Sequence, residues 1–472
     1  MAGIASVGWA LPRLAVKSEE YIRSVGSFAA RGVQEKTVAA FDEDEVTLAA
    51  EAGARALAAA PLSGDQVSSI YLASVGAPQG AASIVALCLG ASAAKAVDLL
   101  GAGPPLAAAL SDACEESEST GRPVLVVCAD ALRGRTDDAA EHPLGAGGAA
   151  FLVTKGGALQ VVASAFATSA ALETSRRGPD GLVRSFVGDD PSGAALRLAL
   201  GRLSAVGYPL DSFDFVCGPE RGGNMAAMHS PEKIEASALP PATWIRTGDT
   251  GAASAGLSLL AALESVGDGT QILLGDAEGP SAAAMALKAA KRPAGADGFR
   301  EAVAQQRTHL SWHAYLGHRR YVPDPGPTET KSEGAYVSPA QWEETLEARL
   351  GLIGSRCTAC GKVRHPPREA CPDCGAAQLE TFRARPQGEI YALTRIGRGS
   401  APSEFARQQA LVGEFAVAIV DLVDGLRVVA QVAGADPRSV RIGDYVELSP
   451  RRLFEQEGRV RYGLKAIPVR KD

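Results

Sequence analysis

The chain has 472 residues, 46% apolar and 21% charged, with a net charge of −7. That length predicts about two to four domains, and the apolar and charged shares predict well-filled cores and argue against global disorder. The acidic balance argues against a general binder of nucleic acid or membrane surface, since both need a basic field. The opening MAGIASVGWALPRL has no basic stretch followed by a long apolar run, and the most apolar region, 81–111, is interrupted by Lys95 and Asp98. Neither a secretory leader nor a membrane span is expected, which predicts a soluble cytoplasmic protein.

Residues 1–290 alternate Ala-rich helical stretches with short apolar runs. The pattern predicts a helix over 45–60, a strand over 69–74 (SIYLAS), a helix over 103–117, and strands over 124–130 (VLVVCAD), 148–154 and 159–165. A second set follows, with a helix over 193–207, a strand over 213–218, a helix over 252–266 and a strand over 270–276. Such alternation predicts an α/β layered domain. Two sets of similar length predict a pseudo-duplicated domain, although no residue repeat is evident. Residues 291–350 turn rich in Pro, Gly and charge and read as linker, with REAVAQQRTHLSWHAYLGHRR as a docking helix within it. Residues 351–384 hold two cysteine knuckles. Residues 385–472 look all-β: FAVAIVDL, a turn at Asp424-Gly425, and LRVVAQVAG form a hairpin signal, and further short strands suit a small, nearly closed barrel.

Eight cysteines fall into two groups. Cys357-x2-Cys360 and Cys371-x2-Cys374 supply four thiolates on two tight turns, each followed by a glycine, Gly361 or Gly375. Zn²⁺ takes four ligands in a tetrahedron, and an all-cysteine set leaves no open position for water, so the site should be structural. His365 is surplus to that set and reads as surface. Cys88, Cys114, Cys128 and Cys217 sit in apolar segments and read as small buried hydrophobes. His229 reads as exposed loop.

The segments SRCTACGKVRHPPREACPDCG, GEIYALTRIG and ADPRSVRIGDYVEL, with the lead-in LSWHAYLGHRRYVPDP, resemble the small zinc-ribbon/OB-fold proteins that accompany thiolases and related acyl-CoA enzymes. Residues 1–290 resemble the hydroxymethylglutaryl-CoA synthase branch of the thiolase fold, through VQEKTVAAFDEDEVTLAAEAGARAL, GRPVLVVCAD, PLGAGGAAFLVT, TGDTGAASAGLSLLAALE and GTQILLGDAEG. The resemblance implies a thiolase-like αβαβα domain over 1–290, a linker over 291–350, a rubredoxin-like zinc ribbon over 351–384 and an OB-fold β-barrel over 385–472. In that family a cysteine at a helix N-terminus takes the acyl group, and a histidine, an asparagine and the synthase's glutamate assist it. Carried over residue by residue, the nucleophile position falls on Gly103 in AVDLLGAGPPLAAAL, the histidine on Cys217 in DFVCGP, the asparagine on Asp249 in TGDTGAAS, and the glutamate on Val75 in LASVGA. The resemblance thus implies that none of the family's catalytic residues is retained. A carboxylate at 249 would also repel a developing oxyanion.

Three functions are open at this point. The first is a non-catalytic or regulatory subunit of an acyl-CoA thiolase complex. Its ribbon and barrel would bridge to a separate catalytic thiolase and help bind coenzyme A or acyl-CoA, within a homodimer inside a hetero-oligomer. The second is an active acyl-CoA aldolase, lyase or dehydratase without cysteine chemistry, with Asp249 as base, Tyr71 as acid, or a Cys217/Asp249 pair. The third is a nucleic-acid module, raised by Arg395, Arg398, Arg451, Arg452, Arg459 and Arg461 in the barrel but disfavoured by its few aromatics.

Overall fold

The computed structural model describes residues 1–101, 105–136, 138–169, 175–177, 182–185, 192–219, 239–321, 338–397, 399–456 and 459–469. Two compact units divide the chain: Met1–Ala86 with Ala93–Tyr321, and Leu87–Ser92 with Val322–Asp472. No helix among the described residues is long and apolar enough to cross a membrane.

The chain opens on β1 (Ala2–Ala10), β2 (Leu14–Lys17), α1 (Ser18–Val25), β3 (Glu35–Val38), α2 (Glu45–Ala59), β4 (Ser69–Ser74), α3 (Ala81–Leu89), β5 (Lys95–Leu100), α4 (Pro105–Thr120), β6 (Val124–Asp130) and β7 (Gly147–Lys155). A second series follows: β8 (Leu159–Thr168), a short hairpin of β9 (Ser175–Arg177) and β10 (Val183–Ser185), α5 (Ser192–Ala205), β11 (Phe215–Cys217), α6 (Trp244–Thr247), α7 (Ala253–Leu263), β12 (Gln271–Glu278) and β13 (Ser281–Ala289). Among the described residues nine strands form one mixed sheet in the order β11-β12-β13-β8-β1-β7-β6-β4-β5. β1 joins its halves, antiparallel to β7 on one side and to β8 on the other.

Helix α2 lies on β1, β7 and β6, and α5 on β13, β8 and β12. Helices α4 and α7 each touch strands of both halves, so they lie between them. This is the predicted αβαβα layering, and the main apolar core gathers around those two central helices. Local chemistry supports it. Asp44 and Thr47 form a reciprocal cap that starts α2. The α2 backbone then approaches β1 so closely that a Cβ on Gly8 would lie 2.2 Å from the Ala52 carbonyl oxygen.

The pseudo-duplication is topological: β1-α2-β4-α4-β6-β7 is matched by β8-α5-β11-α7-β12-β13, with α3 and β5 extra in the first copy. It also has a residue-level trace. Asp130, closing β6, accepts from the Ala252 amide ahead of α7 (2.8 Å) and from the amides of Val75 (3.0 Å) and Gly76 (2.7 Å). Asp276, in β12, accepts from the Ala107 amide in the first turn of α4 (2.9 Å). Each half thus satisfies open N–H groups at the start of the other half's central helix. Asp276→Ala is expected to lower the stability of this unit by about 1–2 kcal/mol, the usual worth of a helix cap. A urea midpoint that falls at unchanged slope would register it.

Residues 299–321, expected as linker and one docking helix, belong to the first compact unit. The expected helix is two short ones, α8 (Phe299–Ala304) and α9 (Trp312–His318), parted by β14 (Thr308–His309). β14 pairs with the edge of β2, and Ser311 accepts from the Ala314 amide to start α9 afresh. An unpaired strand edge and a new N-cap outweigh helical periodicity here.

The second unit begins with α10 (Pro339–Glu344) and α11 (Leu346–Leu350). Strands β15 (Ile353–Cys357), β16 (Val363–Arg364) and β17 (Leu379–Arg383) form a three-stranded sheet with β15 central. Then β18 (Gln387–Ile396), α12 (Ala406–Val412), β19 (Phe415–Leu422), β20 (Arg427–Gln431), β21 (Tyr445–Gln456) and β22 (Arg459–Pro468) build a five-stranded sheet in the order β20-β19-β18-β21-β22. A Val432–Ala466 bridge brings its two edges together. The predicted hairpin is β19–β20, turning at Asp424-Gly425, where Gly425 takes φ +87°. Ala416, Ala418, Val420 and Leu422 alternate inward to its core.

Candidate functional site

The cysteine knuckles are built by repeated backbone geometry. The Gly361 amide donates to the Cys357 carbonyl and the Gly375 amide to the Cys371 carbonyl, both at 2.9 Å. The Cys357 amide returns to Lys362 and the Cys371 amide to Ala376. Gly361 (φ +72°) and Gly375 (φ +75°) occupy left-handed backbone that closes each turn. The four sulfurs converge within 4.8 Å of one another, with Cys357–Cys374 at 3.7 Å and Cys360–Cys371 at 3.6 Å. A tetrahedron with Zn–S bonds of about 2.3 Å has S···S edges of about 3.8 Å, so the donor set fits that ion. The Cys360 amide, aimed at the Cys357 sulfur, lowers that thiol's pKa to about 7, which favours the thiolate a metal needs. His365 is half-buried rather than surface: its Nδ1 donates to the Ile353 carbonyl (2.9 Å) and braces the ribbon's first strand.

In the first unit, Gly103 lies outside the described residues, as does His229. Val75 is partly buried against the core, and its amide donates to Asp130. Cys217 is fully buried at the end of β11, and the next amide, Gly218, donates to Ser258 Oγ on α7. Asp249 is 8% exposed. Its Oδ1 accepts from the Gly251 amide (2.9 Å) and Ser254 Oγ (3.2 Å) at the start of α7, while its backbone pairs with Pro143 and Gly145. A carboxylate there faces the positive end of the helix.

Tyr71 does not join Asp249. Its hydroxyl donates to Glu116 near the C-terminal end of α4 (2.9 Å). Tyr71 is paired with Val126, four residues back from Asp130 along β6, roughly 13 Å at strand rise. Asp130, which does reach the start of α7, has its pKa raised to about 7 by burial and by Glu45, against the hydrogen bonds from Ser74, Val75 and Ala252. Two of the remaining thiols are held protonated. Burial and the neighbouring Glu115 and Glu118 push Cys114 up to about 12, and burial with Asp276 pushes Cys128 up as well. Cys88 is buried in α3.

A buried cluster was invisible in the sequence. Glu141, fully buried, accepts from Lys36 Nζ (3.1 Å), Arg319 Nη2 (2.8 Å), the Tyr321 hydroxyl (3.2 Å) and the hydroxyls of Tyr21 and Tyr315. No local motif announces it, because its members lie 105 to 180 positions from Glu141. In the barrel, Arg451 and Arg461 are turned inward, and Arg395 donates to the Pro437 and Val440 carbonyls. Arg398 lies outside the described residues.

The family described as "ChsH2, rubredoxin-like zinc ribbon domain" matches residues 347–380, and "ChsH2, C-terminal OB-fold domain" matches 383–450. The chain is 32% identical over 98 residues, 21% of its length and 60% of the relative's, to the benzoylsuccinyl-CoA thiolase subunit BbsA of Geobacter metallireducens. It is 32% identical over 116 residues, 24% of its length and 34% of the relative's, to a probable enoyl-CoA hydratase alpha subunit of Thermomonospora curvata. A solved structure of MvaS in complex with 3-hydroxy-3-methylglutaryl coenzyme A superposes with a TM-score of 0.56 at 21% identity, covering 68% of this chain and 92% of that one. The first unit therefore has the thiolase-like fold of hydroxymethylglutaryl-CoA synthases. A DUF35 domain-containing scaffold protein of Methanothermobacter thermautotrophicus is 35% identical over 126 residues, 26% of this chain and 90% of that protein. Through its zinc-ribbon and OB-fold unit, the chain belongs to the family of DUF35 domain-containing scaffold proteins.

Proposed function

We propose that this chain is a non-catalytic or regulatory subunit of an acyl-CoA thiolase complex. In this reading the four ribbon cysteines hold a structural zinc, and the ribbon with its OB-fold bridges to a separate thiolase and helps bind coenzyme A or acyl-CoA. The thiolase-like unit serves as a docking body, as a homodimer within a cytoplasmic hetero-oligomer. One observation carries the reading: a thiolase-like unit and a ribbon–OB unit related to scaffold proteins share one chain. The chemistry agrees. By resemblance the family's nucleophile position falls on Gly103, and the thiols of Cys114 and Cys128 are held protonated by burial and nearby acids. The Ser254 hydroxyl and the Gly251 amide that donate to Asp249 make it a helix-start brace in this reading, with no catalytic role.

A second reading, an active hydratase or lyase using Asp249, is favoured by the relative named as an enoyl-CoA hydratase subunit. One experiment separates the two. The purified chain is assayed alone on a panel of β-ketoacyl-CoA and enoyl-CoA substrates, then together with a thiolase from the same cell. The scaffold reading expects no turnover alone and a stable complex that changes the thiolase's KM for acyl-CoA. Turnover by the isolated chain that Asp249→Asn abolishes would establish the second reading and end the first.

A further inference from the structure

Residues 307–321 carry three arginines and three histidines and no acid. They dock on three carboxylates of the first unit. Arg307 (3.4 Å) and His309 (2.7 Å) meet Glu35. The Trp312 amide donates to Glu20 (2.8 Å). Tyr315, Arg319 and Tyr321 converge on Glu141. The segment packs on its own small core of Val16, Tyr21, Val38 and Tyr315, separate from the core between the sheet halves. A region with its own core can open without unfolding the rest.

Two histidines border the small core on which the segment packs, His318 from within the segment and His142 against Tyr21 and Phe28, and both accept hydrogen bonds from backbone. His142 Nδ1 takes the Ala29 amide at 2.8 Å, and His318 Nδ1 takes the Phe41 amide at 3.1 Å. A backbone N–H can only donate, so each ring must be unprotonated at that nitrogen. The His142 ring also stacks on Phe28 (centroids 5.6 Å, 4° between planes) and meets the edge of Tyr21.

We infer that residues 307–321 form a proton-gated strap, docked while His142 and His318 are neutral and released when both take up protons. Protonation sets an N–H at Nδ1 against the Ala29 and Phe41 amides, which breaks both contacts. The charged surroundings oppose this only in part. His142 faces Glu141 and Asp138, which favour the cation, and Lys36, which does not; burial outweighs them and lowers its pKa. His318 faces Asp42, and burial again wins. A ring whose folded pKa lies below the usual 6.5 adds stability that is full above that pH and is lost as pH falls through the folded value. His309 Nε2 lies 2.7 Å from a Glu35 oxygen, a contact that does not require an unprotonated ring. His313 is exposed.

Release would free fifteen residues of chain on the way to the ribbon–OB unit. The consequence for bridging rests on the scaffold reading, but the release itself does not. The test is amide hydrogen exchange of the full chain, corrected for intrinsic rates, at pH 7.4 and 5.0. Protection over 307–321 is expected to fall at least ~10-fold at the lower pH, with protection of β6 and β7 unchanged. In the His142→Gln/His318→Gln double variant the amide oxygens still accept but do not titrate, and protection should not change with pH. Equal protection at both pH values in the natural chain, or an undiminished loss in the double variant, overturns the inference. If that variant does not fold, NMR titration of the natural chain decides: folded ring pKa values at or above 6.5 overturn it, and lower values support it. Failure of the scaffold reading would show in the turnover assay and leave these exchange data untouched.

Discussion

Cys371→Ser, or removal of metal by a strong chelator, is expected to unfold the ribbon while leaving the thiolase-like unit intact. The ribbon's three strands run over residues 353–383, and two of its four cysteines are exposed. A segment that small cannot bury enough apolar surface to offset its chain entropy. Four thiolates on one zinc ion supply what the core lacks, on the order of 10 kcal/mol of binding free energy coupled to folding. The natural chain should release one zinc per chain to a chromogenic chelator after thiol modification. Proteolysis should then cut first between 353 and 383. His365→Ala is the control: its ring braces Ile353 and binds no metal, so zinc content should stay at one per chain. A metal-stripped chain whose ribbon resists protease as before would remove the zinc argument.

The ribbon was legible because its ligands are local: two pairs with two residues between, each closed by a glycine. The strands of β4 and β6 were legible for a related reason. They are buried on both faces, so they read as continuous apolar runs. β13 was not, because SAAAMALKA is mostly alanine, which carries no strand preference, and only its place between β12 and β8 makes it a strand. β1 and β5 were missed likewise, with glycines in one and exposed ends in the other. The duplicated halves left no readable repeat, yet Asp130 at the end of β6 and Asp276 two residues before the end of β12 do the same task, visible only once both central helices are placed. Positions 75, 103, 217 and 249 could be named from resemblance alone, since nothing in their spacing marks a site. The Glu141 cluster had no signal at all, because five partners from α1, β3, α9 and its flank meet one acid through tertiary packing.

That cluster should show its worth in Glu141→Gln, which is expected to destabilise the first unit by about 3–5 kcal/mol, the usual cost of leaving buried charge without its partner. Glu141 is the acid that Lys36 and Arg319 share, and all three are fully or almost fully buried. Burial alone would raise the Glu141 pKa, but the two cations and the hydroxyls of Tyr21 and Tyr315 bring it down to about 2. Lys36 bears the opposite cost. Burial and the nearby Arg319 lower its pKa to about 7 in spite of Glu141. Removing the acid therefore leaves Arg319 charged and drives Lys36 toward its neutral form. Two measurements distinguish this from simple loss of packing. Adding Lys36→Met to Glu141→Gln should recover part of the loss, since it removes a buried amine that has lost its acceptor. The acid limb should also change. A carboxyl with a folded pKa below its usual value of 4.5 contributes stability that is present above that pH and is lost as pH falls toward about 2. The natural chain should lose stability steeply across that interval, and Glu141→Gln should lose less there. A double variant no more stable than Glu141→Gln, with an unchanged acid limb, would mean that Glu141 acts through shape and not through charge.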